Sequence, residues 1–143
     1  MDDVQISLAR YRYEKSNEFL ESSRKTFEMK FYNSTVLLSY HSLIFIIKTV
    51  FALEGIEDYD EQNLIKLFKV KFLANVRLSS NVQTIIDEVT DIWLKILNEN
   101  YFIVTREEAL NVLNLMEKLL EIIIKYIQSE YNIDFDKFNR PDY

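Results

Sequence analysis

The chain predicts an all-α fold: an up-and-down antiparallel bundle of about five helices, four long ones plus a short one. Two observations carry that expectation. Its 143 residues include one glycine and one proline, whereas sheets and tight hairpins draw on both residue types at their turns. Apolar residues also recur at spacings of three and four along most of the sequence, the period of helices that bury one face. The length suits a single domain with a real core, at 1–131, followed by a tail at 132–143.

The first helix is expected over about residues 3–30, where Ile6, Ala9, Tyr13, Ser16, Leu20, Ser23 and Phe27 share a stripe. Ala9, Ser16 and Ser23 are small enough to admit a neighbour closely, and Tyr13, Leu20 and Phe27 fill the gaps between them, so the next helix packs antiparallel here. That second helix, about 33–54, is apolar nearly all round and belongs at the centre. Its polar residues Ser34, Thr35, His41, Ser42, Lys48 and Thr49 fall in pairs seven apart, in one band with Leu38 and Phe45 between them. Gly55 follows as a left-handed cap.

An acidic connection, Glu57, Asp58, Asp60 and Glu61, reads as a solvated linker into a small helix at about 61–73 with Leu64, Leu67, Phe68 and Phe72 on one face. A loop follows at 74–79. Ser80 or Asn81 then caps a fourth helix whose apolar positions Val82, Ile85, Ile86, Val89, Ile92, Trp93, Ile96 and Leu97 stand opposite Asp87, Glu88, Asp91 and Lys95. Asn98 to Val104 breaks the period, and Thr105 with Glu108 forms a capping box for a fifth helix at about 105–131. This helix carries two stripes, one through Ala109, Leu113, Met116, Leu120, Ile123 and Ile127, the other through Val112, Leu115, Leu119, Ile122 and Tyr126. A second stripe implies either a second copy of the chain or a helix with a broad core face. The tail is expected to pack loosely.

Net charge of −6 argues against a surface that clings as a whole to nucleic acid. Having no cysteine, the chain lacks disulfides, thiolate nucleophiles and zinc-thiolate sites. The apolar run at 43–47 is cut by Lys48, far short of a membrane span, and no secretory pattern opens the chain, so a soluble cytoplasmic protein is expected. No glycine-rich phosphate loop, nucleophile elbow or histidine pair is present, and neither a cofactor nor a metal site is expected.

Taken in order, these features resemble the HEPN domains, and within them the small stand-alone bacterial and archaeal proteins. The likeness rests on Phe31-Tyr32, on Ser39-Tyr40-His41-Ser42-Leu43-Ile44-Phe45, on Leu53-Glu54-Gly55, and on Asn100-Tyr101 followed by Val104-Thr105-Arg106-Glu107-Glu108-Ala109. Nuclease members of the family cut RNA with an arginine and a histidine a few residues apart, set against a second copy across a dimer. By that resemblance Ile96 stands where the arginine is expected, with Lys95 beside it and no histidine following, and Glu61 stands in place of another family histidine. The resemblance therefore implies a non-catalytic homodimeric binding protein, one of a toxin-antitoxin or defence-type pair with a nucleotidyltransferase. It also places Tyr101 where some members carry a tyrosine modified with AMP.

Two alternatives stay open: a degenerate metal-independent RNase toxin using Lys95, Asn98, Asn100 and Tyr101, and a nucleotide-binding module. His41 and Lys48 are candidate ligand-binding residues, since an imidazole and an ammonium on one helix face suit a phosphate. The plainer readings are a structural His41 near an interface, a Tyr101 packed at the helix junction, and a solvated face for Lys66, Lys69, Lys71 and Arg77. Homodimerisation rests on the surplus stripe of the fifth helix and the polar-aromatic band of the second.

Overall fold

The computed structural model describes residues 1–74, 78 and 80–135. Five α-helices are ordered as α1 (Asp3–Glu28), α2 (Tyr32–Leu53), α3 (Leu64–Phe68), α4 (Ser80–Asn98) and α5 (Arg106–Tyr131). Strands are absent among the described residues. The small third helix is mixed in pitch: a 3₁₀ turn, Glu61–Asn63, leads into α3, and a π-helical stretch, Lys69–Leu73, leaves it. Leu64, Phe68 and Phe72 therefore meet the core at a regular spacing of four, and Leu67 is half-buried beside them.

Cross-helix contacts fix the directions. Ser16 on α1 bonds Ser42 on α2, and Ser23 bonds Thr35 and Ser39, so α1 and α2 run antiparallel. Arg24 pairs with Glu117, and Tyr13 stacks on Phe135, which sets α1 antiparallel to α5 as well. Asn33 reaches Val104 while Glu54 reaches Tyr131, so α2 and α5 run the same way. With α4 joined to α5 by a short junction, the four long helices form an up-and-down bundle. α2 packs against the other three. It is long and apolar enough to cross a membrane, and its apolar side chains are here spent on the bundle's centre.

The α1–α2 seam is made of small residues. Ala9, Ser16 and Ser23 are fully buried, as are Thr35, Ser39, Ser42 and Thr49. Ser16 Oγ lies 2.8 Å from the Ser42 carbonyl and 3.0 Å from Ser42 Oγ, and Ser42 Oγ donates to the Ser16 carbonyl at 2.9 Å. Ser23 Oγ repeats the pattern on the Thr35 carbonyl and Ser39 Oγ, both at 2.7 Å. Every buried hydroxyl on the seam has a partner, as burial of polar groups requires.

This arrangement corrects the expected polar band of α2. Thr35, Ser42 and Thr49 face α1 and are sealed inside the chain, so only Ser34, His41 and Lys48 remain toward the outside. The second stripe of α5 is likewise spent internally: Val112, Leu119 and Tyr126 are buried, with Leu115 and Ile122 half-buried against the core. A helix touching α1, α2 and α4 at once needs the broad face, so the second stripe no longer calls for another copy, while half of the α2 band still faces outward.

Both long helical turns close by the same device. At the end of α2 the Ile56 N–H donates to Phe51 O and Gly55 N–H to Ala52 O, with Gly55 at φ 71°. At the end of α1, Phe31 N–H donates to Thr26 O and Lys30 N–H to Phe27 O, with Lys30 at φ 66°. These are paired Schellman bonds around a left-handed residue. A Cβ on Gly55 would come within 2.8 Å of Gln5 Nε2, the side chain that completes the capping box of α1 with Asp2.

Four smaller expectations are also revised. Ser80 is the first residue of α4 rather than its cap, and Ser79 lies outside the described residues. The apolar pattern of α4 is buried only in its first half, at Val82, Ile85, Ile86 and Val89; Leu94 and Leu97 are 40% and 56% exposed. The acidic connection is not simply solvated, because Glu57 and Glu61 pair with Arg12 and Lys48. The tail does not begin loosely: Asn132 caps α5 in the left-handed conformation, and Phe135 is buried, stacked on Tyr13 at 5.0 Å. Residues 136–143 lie outside the described residues.

Gly55→Ala is expected to lower stability by about 1–2 kcal/mol, the cost of a left-handed residue with a Cβ, and Lys30→Gly to raise it by about 0.5–1 kcal/mol at the equivalent turn; urea midpoints measure both. Ser16→Leu is expected to cost about 1–3 kcal/mol by overpacking the seam, again read from the urea midpoint. Burial and the hydrogen bond to Glu54 raise the Tyr131 pKa well above 10.0, and burial with the charge of Glu61 raises that of Tyr40. These groups stay protonated in the fold after unfolded tyrosine, near pKa about 10, ionises, so their contribution is present below that pH and is lost as pH rises above it. A pH series of thermal melts should show that loss, and Tyr131→Phe should shrink it.

Candidate functional site

The junction between α4 and α5 is built by side chains that the periodicity did not single out. Glu99 N–H continues the α4 ladder to Lys95 O at 3.0 Å, and the chain then turns through Tyr101 at φ 63°. A left-handed tyrosine is uncommon and must be held by its surroundings. The holder is Asn33, in the first turn of α2. Its Nδ2 donates to the Phe102 carbonyl at 3.0 Å, and its Oδ1 accepts from the Val104 N–H at 2.8 Å. Val104 is buried, Thr105 and Glu108 form the reciprocal capping box of α5, and the Arg106 guanidinium lies 5.3 Å from the Phe27 ring centre. The backbone on both sides of Tyr101 is therefore pinned, while its side chain is 96% exposed. That overturns the plainer expectation of a tyrosine packed at the junction.

Lys95, Asn98, Asn100 and Tyr101 are all exposed, along the end of α4 and the junction that follows it. Lys95 lines a groove between α4 and α5 with Glu88, Asp91, Ile92, Glu108 and Asn111, and its ammonium lies 6.0 Å from the Phe102 ring centre. The other three candidates are exposed and line no part of that groove. An acidic groove with one lysine disfavours a phosphate, because carboxylates repel the charge that an RNase must hold. What the junction does present is apolar: Leu94 and Leu97 on the last turns of α4, then Tyr101 and the 79% exposed Ile103.

His41 and Lys48 lie two turns apart on the outer face of α2, with Phe45 between them. His41 is exposed and stacks on Phe19 at 5.2 Å, which stacks on Phe45 at 5.5 Å. Lys48 Nζ sits 5.1 Å from the Phe45 ring centre and pairs with Glu61. Tyr40, next to His41, turns the other way and stacks almost flat on Trp93 of α4 at 3.8 Å. Arg12 was missed from the sequence, since it lies off the α1 stripe. Its Nη1 donates to the Lys48 carbonyl at 3.0 Å, and its Nη2 reaches Glu57 at 3.5 Å.

The basic positions near α3 behave as a solvated face: Lys66 and Lys71 are exposed, and Lys69 pairs with Asp87 while Phe68 and Phe72 are buried. Arg77 lies outside the described residues. Among the described residues no three acidic or histidine side chains gather closely enough to hold a metal ion.

A family model, that of the HEPN domain, matches residues 9–129. A search of the curated proteins finds no match to the chain.

Asn33→Ala is expected to cost about 1–3 kcal/mol, since it strands two part-buried backbone groups. Hydrogen exchange should show the Val104 amide losing protection while the middle of α5 keeps its own.

Proposed function

The chain belongs to the HEPN domain family, and on that premise we propose that it works by binding rather than by catalysis, as a homodimer whose contact surface is the end of α4 with the α4–α5 junction. The observation that carries this reading is the run of Leu94, Leu97, Tyr101 and Ile103, large apolar residues left in solvent along one stretch of chain whose backbone is firmly pinned. A monomer gains nothing by exposing them together, whereas a second copy would cover them. By the family resemblance Ile96 and Lys95 stand at the place of catalysis in nuclease members, and the chain's one histidine, His41, is on α2, stacked on Phe19 of α1. Without an imidazole at the junction the proton transfers of RNA cleavage have no carrier of suitable pKa.

The pairing with a nucleotidyltransferase, in a toxin-antitoxin or defence setting, is supported by the family resemblance and by the presentation of Tyr101. A tyrosyl hydroxyl that receives an adenylyl group must enter another enzyme's active site, and a side chain in open solvent on a rigid turn meets that need. A soluble cytoplasmic location belongs to the same reading.

Sedimentation of the wild-type chain should give a dimer, and Leu97→Glu a folded monomer, because an unpaired carboxylate in an apolar contact is strongly disfavoured. A wild-type monomer at the highest workable concentration would refute the dimer. Incubation with ATP and a nucleotidyltransferase encoded beside this chain should add one adenylyl mass, absent in Tyr101→Phe; unchanged mass in the wild type would refute the modification.

A further inference from the structure

We propose that the groove between the first turn of α2 and the α4–α5 junction receives the Tyr101 side chain of a second copy, so that each protomer plugs the other. The proposal rests on the homodimer reading above and supplies the fit that a run of exposed apolar residues lacks by itself.

The groove holds about 310 Å³ and is open to solvent. Phe31 and Ile103, 54% and 79% exposed, form its apolar wall, and Lys30 and Ser34 add polar groups to the lining. Its shape is held from both sides. The paired bonds of Lys30 and Phe31 fix the α1–α2 turn, and the two bonds of Asn33 tie the start of α2 to Phe102 and Val104. Phe31 is also the N-cap of α2 and makes no side-chain cap bond, so the leading N–H groups of this helix find no acceptor within it. An apolar wall beside a cation and open donors suits a phenol, whose ring is apolar, whose face attracts an ammonium and whose oxygen accepts hydrogen bonds.

Tyr101 is the matching plug. It stands two residues from Ile103, is 96% exposed, and does not line the groove of its own chain. Plug and groove thus sit side by side on one pinned end of the bundle. A two-fold axis makes such a surface self-complementary, because each copy offers a tyrosine where the other offers a groove. Area favours the same arrangement. A stable contact takes about 800 Å² from each partner, and the strip of Leu94, Leu97, Tyr101 and Ile103 becomes a broader patch once Phe31 and the 59% exposed Met29 join it.

Sedimentation equilibrium of the full chain tests the exchange. Tyr101→Ala and Phe31→Ser, each shown folded by circular dichroism, are expected to weaken the dimer by about tenfold or more, as loss of a central aromatic does. Serine is favoured at an N-cap, so the second variant keeps α2 anchored. Mixing the two variants separates exchange from simple proximity. The mixed pair retains one intact plug, from the Phe31→Ser chain, in one intact groove, from the Tyr101→Ala chain, and should associate about tenfold more tightly than either variant with itself. In the wild type, acetylation of Tyr101 by N-acetylimidazole, read by peptide mass, should fall as rising concentration drives dimerisation. A wild-type dimer whose variants gain nothing on mixing, or whose Tyr101 stays fully reactive, would overturn the exchange and leave the dimer itself standing. A wild-type monomer at every workable concentration would overturn both.

Discussion

The close approach of α1 and α2 through buried hydroxyls governs the rest of the bundle. Ser16, Ser23, Thr35, Ser39 and Ser42 are small, so the two backbones come near, and the Ser16, Ser23, Ser39 and Ser42 hydroxyls each meet a carbonyl or hydroxyl across the seam. A sliding error of one turn would bury hydroxyls without partners, a penalty large enough to reject that register. Apolar packing alone would be more permissive, because α2 is greasy on nearly every side. The hydroxyls thus supply the register, and burial of Leu43, Ile46, Phe51 and their neighbours supplies most of the driving force.

Once that register is set, the remaining faces have little freedom. α2 presents its other sides to α4 and α5, and the wide apolar face of α5 is consumed in reaching α1, α2 and α4 together. What is left over lies at two places. One is the end of α4, where the helix runs past its neighbours and Leu97 stays in solvent. The other is the outer edge of the α1–α2 pair, where the Arg12 side chain reaches the Lys48 carbonyl.

Much of the architecture was legible in the sequence because it depends on period and on single decisive residues. The spacing of Ala9, Ser16 and Ser23 announced a close helix contact, Gly55 announced a left-handed stop, and Thr105 with Glu108 announced the start of α5. Which partner a stripe meets is a different matter. Val112, Leu119 and Tyr126 have the same periodicity whether a second chain or three helices of the same chain cover them, so periodicity could not separate the two. Thr35, Ser42 and Thr49 likewise read as a polar band until α1 is known to lie over them. Asn33 carries no periodic signal at all: its role rests on geometry between residues some seventy positions apart. The left-handed turns at Lys30 and Tyr101 were hidden for a related reason, since neither residue type favours that conformation and only the surrounding hydrogen bonds impose it.

Of the candidate catalytic residues, Lys95 stands in a setting that disfavours a phosphate for an electrostatic reason. Lys95 lines a groove that also carries Glu88, Asp91 and Glu108. The net charge of the lining is negative, so a phosphodiester drawn toward Lys95 would be repelled by more charges than attract it. The α1–α2 edge is balanced differently. The side chains of Arg12 and Lys48 are 12% and 14% exposed, and Glu57 and Glu61 pair with them from the connection between α2 and α3. Two cations there meet two carboxylates, whereas Lys95 stands beside three.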